Sequence, residues 1–196
     1  MNENMSGTES LAIIEAMIKK AKNQFSEDGS LYLLWGWVIL FCSLGHFALD
    51  YFRLYDKPWA IWLLTWVLAL YMIVYIRRKE KKKIVKTYTE EMIGSVWLTF
   101  VIMMFVLFIL LGRYLPQFYR YNFIFVLFCY GMPTFLSGFF LKFKPLILGG
   151  LACWVLAIAA GEFDFHYHPL FVAVAVIAAW IIPGYILKAR FNNQTL

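Results

Sequence analysis

Residues 31–51 read "LYLLWGWVILFCSLGHFALDY", a run whose one charged side chain, Asp50, stands almost at its end. An α-helix needs about 20 predominantly apolar residues to cross the hydrocarbon core of a bilayer. This stretch meets that length without interruption, and so decides the class of the fold. The pattern recurs at 59–76, 92–111, 121–141, 145–161 and 169–187, each run nearly free of charge and separated from the next by a short polar or charged break. Composition agrees: 62% of residues are hydrophobic, 20% aromatic and only 15% charged, outside the balance of a soluble globular domain.

The sequence therefore predicts an all-α integral membrane protein with six transmembrane helices in one bundle over 29–196, preceded by a short amphipathic cytoplasmic helix within 1–28. The breaks are too short for a separate domain, so sequential helices are expected to be antiparallel neighbours.

Lysine and arginine placement orients the bundle. With the N-terminus inside, fourteen of the eighteen basic residues collect on the inner side, leaving Arg53, Lys57, Arg113 and Arg120 outside. Such a bias places both termini in the cytoplasm and suits a bacterial inner membrane. It also accounts for most of the net charge of +6. The basic run 77–86, "RRKEKKKIVK", reads as a contact for anionic lipid headgroups rather than for nucleic acid, because it lies between two spanning segments.

The N-terminal stretch is expected to remain in the protein, since acidic residues precede an amphipathic pattern and the first apolar run is long enough to span. Ser6 and Glu9 form a capping-box pattern, and Leu11, Ile14, Ile18, Ala21 and Phe25 recur at helical spacing. Such a helix lies in the inner headgroup region or docks a cytoplasmic protein partner, the first reading being preferred.

Packing signals single out the fifth and sixth runs. Gly149, Cys153, Ala157 and Gly161 form a small-residue ridge, answered by Ala175 and Ala179, so these two helices are expected to be the closest pair. The third run is bulky and is expected to face lipid. Pro133 and Pro183 are expected to kink the fourth and sixth helices, a feature that broken-helix transporters share. Cys42, Cys129 and Cys153 fall inside spans and read as packing residues.

Polar chemistry concentrates in residues 161–169, "GEFDFHYHP". In an extended chain Glu162, Asp164, His166 and His168 would share one face and the aromatic residues the other. The remaining histidine, His46, lies near the outer end of the first run, with Asp50 one helical turn on. "GHFALDY" at 45–51 and "GEFDFHY" at 161–167 share Gly-x-Phe-x-x-x-Tyr, with Asp50 matching His166. If the echo is structural, these two outer ends lie side by side.

His46, Asp50, Glu162, Asp164, His166 and His168 are thus the candidate site. Imidazoles with a carboxylate and an open position are the ligands of a catalytic zinc or similar divalent transition metal. The same groups suit a proton-responsive site, or a solvated interfacial loop with its aromatics at headgroup level. The loop reading is preferred, because His-x-His lacks the helical spacing of zinc motifs. The sequence carries no Gly-rich phosphate loop, H-E-x-x-H or G-x-S-x-G. Catalytic residues are not assigned. The favoured function is a non-enzymatic bundle that senses or scaffolds, with a membrane-embedded metal-dependent hydrolase and a small transporter as alternatives.

Overall fold

The computed structural model describes residues 29–80 and 88–194; the predicted amphipathic helix within 1–28, and most of the basic run 77–86, lie outside the described residues. All regular structure among the described residues is helical. The helices are α1 (Ser30–Tyr51), α2 (Leu63–Glu80), α3 (Tyr88–Ile109), α4 (Asn122–Phe140), α5 (Lys144–Ala160), α6 (His168–Val176) and α7 (Ile182–Gln194). A π-helical turn, Ile177–Ile181, joins α6 to α7, so the sixth apolar run is one helical rod.

Proline sets where several helices begin. Pro58, Pro116, Pro145 and Pro169 each stand in the first turn of a helical segment. The missing N–H costs nothing there, and the fixed φ already suits the helix. Pro183 lies inside the rod, directly after its π turn. Pro133 lies inside α4, which is helical on both sides of it.

Two helices end in the same device. At the end of α4, Phe143 N–H donates to Gly138 O at 2.8 Å and Lys142 N–H to Phe139 O at 3.1 Å. At the end of α1, Leu54 N–H donates to Leu49 O at 3.0 Å and Arg53 N–H to Asp50 O at 3.2 Å. These are Schellman caps, with Lys142 and Arg53 in the left-handed region at φ 51°. Glycine is the usual residue at that position, and a side chain there costs about 1–2 kcal/mol.

Five helical segments are long and apolar enough to cross a membrane: Ser30–Tyr51, Pro58–Tyr75, Thr89–Tyr114, Pro116–Phe140 and Phe165–Asn193. The sixth, α5, has 17 residues, or roughly 25 Å of helix at about 1.5 Å per residue. Its length is set by the cap at Lys142 and by the turn that follows Ala160.

The expectation that the fifth and sixth apolar helices pack most closely is corrected. The most extensive contact joins α4 to α5. A Cβ on Gly138 would stand 2.6 Å from the backbone nitrogen of Ile147, and one on Gly150 would stand 2.8 Å from the nitrogen of Phe135. Backbone therefore meets backbone along this hairpin, through glycines of a register different from the 149–161 ridge. That ridge does approach the sixth rod at one point, where a Cβ on Gly149 would lie 2.6 Å from Ala179 Cα.

α1, α4, α5 and the α6–α7 rod form the core, with Leu127, Leu146, Val172 and Val176 fully buried. α2 and α3 flank it, α3 reaching it through Ile93 with Trp97, Phe100 and Met104 packed against it. Of the described side chains between 89 and 114, only Ile93 and Leu111 are buried, as the bulky third run leads one to expect. Inside the core, Trp180 N–H donates to Thr134 Oγ at 2.9 Å, and Thr134 donates in turn to Tyr130 O at 2.8 Å. The Tyr130 and Trp180 rings stand 4.7 Å apart.

Candidate functional site

The cap that ends α1 fixes its last turn, and with it Asp50. The chain leaving α5 does not run extended as its alternating pattern suggests. Phe163 N–H still donates to Ala160 O at 3.2 Å, and a 3-10 turn, Phe165–Tyr167, follows at once. Glu162, Asp164, His166 and His168 therefore do not line one face. The cause is topological: the chain must reverse between α5 and α6 within a few residues, and hydrogen-bonded turns do so where a strand cannot.

That reversal carries His166 onto the last turn of α1. Its Nδ1–H donates to Asp50 Oδ2 at 2.5 Å, with the side chains 45% and 24% exposed. A carboxylate only accepts, so this contact places the imidazole proton on Nδ1. Around the pair, Tyr167 packs on Phe47 and Tyr51, with ring centroids 6.2 and 6.4 Å apart. The two halves of the internal echo thus touch at matching positions.

The other histidines have partners of their own. His46 Nδ1 accepts from Trp62 Nε1–H at 3.0 Å, which leaves the ring proton on Nε2, and its ring meets Phe123 edge-on at 5.1 Å. His168 is 1% exposed. Its Nε2–H donates to Phe163 O at 3.0 Å, tying the start of α6 back across the turn. Its Nδ1 is buried without a hydrogen-bond partner. Glu162 and Asp164 are exposed.

The six candidates thus separate into one contact pair, Asp50 and His166, two histidines bonded elsewhere and two exposed carboxylates. Among the described residues, no group of three or more His, Cys, Asp or Glu side chains is arranged to hold a metal ion.

No known protein family, curated protein or solved structure matches the chain.

Three residues that complete this end of the bundle carry no signal in the sequence. Trp62 donates to His46 from the turn that begins the second apolar segment, and Phe123 supports the same ring from α4. Arg120, just before α4, places its guanidinium 5.9 Å from the Phe165 ring centroid and 5.4 Å from that of Tyr121. Spacing could not single them out, because each acts across elements distant in the chain. The turn 163–168 is held from α1 by Asp50, from the approach to α4 by Arg120, and internally by His168.

Proposed function

We propose that this chain is a six-crossing membrane bundle with both termini in the cytoplasm that senses or scaffolds without catalysis. The clasp between Asp50 and His166 carries the reading. Its imidazole and carboxylate are spent on joining α1 to the turn after α5, and His46 and His168 likewise bond across or within elements. Ionisable groups used this way set the geometry of one end of the bundle and transmit a change there to both helices.

The surface supports the membrane setting. Leu98, Val101, Ile102 and Phe105 of α3, and Trp66, Val67 and Leu70 of α2, are all exposed. In water, an apolar patch of this extent is an aggregation hazard, whereas lipid solvates it at no cost. In this arrangement α5 makes the sixth crossing, at the short end of the range for spanning helices. The N-terminal helix and the basic linker 77–86 then face a cytoplasmic partner or anionic headgroups.

Two measurements test the proposal. Replacing Leu196 with Cys should allow thiol labelling only from the cytoplasmic side; the native Cys42, Cys129 and Cys153 are buried and contribute little background. Labelling from outside overturns the topology. Elemental analysis of protein purified without added metal should find no stoichiometric transition metal, and a near-stoichiometric value would overturn the non-enzymatic reading.

A further inference from the structure

At the end of the bundle opposite the clasp, the Schellman cap of α4 leads directly into α5. Phe143, between the two helices, is fully buried. Lys142 precedes it and Lys144 follows it, both exposed, while the Arg190 guanidinium lies 5.0 Å from its ring centroid. Lys144 stands in the first turn of α5, which contains no acidic residue. A cation there opposes the helix dipole. Neither lysine forms an ion pair with an acid among the described residues. Beside them opens a groove of about 360 Å³ lined by Phe139, Lys142, Lys144 and Ile147.

We propose that this groove binds an anionic phospholipid, its phosphodiester on Lys142 and Lys144 and an acyl chain along Phe139 and Ile147. Charge complementarity assigns the headgroup: two lysines with no acidic partner among the described residues and a helix N-terminus concentrate positive charge at one rim. The exposed Phe139 ring and the Ile147 side chain give the other wall no use for a soluble anion. The site's lining residues belong to α4, α5 and the turn between them, and none comes from the basic run 77–86. It rests on the membrane reading above, which places this end of the bundle at the cytoplasmic headgroups.

The test uses the full chain in nanodiscs of phosphatidylcholine with a minority of phosphatidylglycerol, released and weighed by native mass spectrometry. The wild type should retain phosphatidylglycerol in preference to phosphatidylcholine. Lys142→Asn and Lys144→Gln should each lower that preference about fivefold, asparagine being chosen because it tolerates the left-handed region. The charge-conserving pair Lys142→Arg and Lys144→Arg should keep it, which separates loss of charge from loss of fold. Lys57→Gln, the same charge change elsewhere in the chain, should leave it unchanged. Equal retention of both lipids by the wild type, or an equal loss in Lys57→Gln, overturns the site and leaves the membrane reading standing. Displacement by glycerol phosphate in solution reassigns the groove to a soluble anion and overturns the lipid. Failure of the wild type to enter the nanodisc overturns both readings.

Discussion

Asp50 and His166, 116 residues apart in the chain, meet at 2.5 Å and join the last turn of α1 to the reversal between α5 and α6. Both side chains are partly exposed, so solvent screens the contact and its net contribution is about 0.5–1 kcal/mol. A double-mutant cycle with Asp50→Asn and His166→Asn should recover a coupling of that size from thermal unfolding in detergent. Additive losses would mean that the two groups are neighbours without an energetic link.

Glycine separates two kinds of helical position. A Cβ on Gly150 would stand 2.9 Å from Gly131 O as well as against the nitrogen of Phe135, and backbone cannot yield as a side chain can. Gly150→Ala should therefore cost about 1–3 kcal/mol through overpacking. Gly94, in α3, has nothing within 4 Å of its Cβ position, so Gly94→Ala should stabilise the fold by about 0.5–1 kcal/mol. Thermal melts of the two variants should move in opposite directions, and a shared sign would contradict the packing of α4 on α5.

Arg53 holds φ 51° at the end of α1. Arg53→Gly removes the steric cost of a side chain in that conformation and should raise stability by about 1 kcal/mol. Arg53→Asn should fall between the two, and a lower melting temperature for the glycine variant would show that the Arg53 side chain contributes more than its backbone costs.

Thr134 links Trp180 to Tyr130 O within the core. Thr134→Val leaves the indole N–H buried without an acceptor, at a cost of about 1–3 kcal/mol. Adding Trp180→Phe to that variant removes the stranded donor. The second substitution should therefore cost less in the Thr134→Val background than in the wild type, and equal costs would break the proposed link.

The sequence by itself determined which segments are helical and roughly where they stop. Apolar runs bounded by proline, charge and glycine leave the backbone few ways to satisfy its hydrogen bonds. It also determined that the bulky third run would keep most of its surface outside the core. The tertiary structure decided which helices approach most closely, because a chain that is apolar throughout gives little sequence contrast between one helix face and another. The choice fell to glycines that admit backbone contact, at Gly138 and Gly150, rather than to the longer ridge at Gly149, Cys153, Ala157 and Gly161. Only the tertiary structure decided the fate of 161–169, whose alternation suggests a strand: a tight reversal requires turns, and turns break the two-residue period. Which histidine meets which partner was decided last of all, since Asp50 with His166 and Trp62 with His46 are contacts made across the bundle; the echo between 45–51 and 161–167 pointed to the first, and nothing in the spacing pointed to the second.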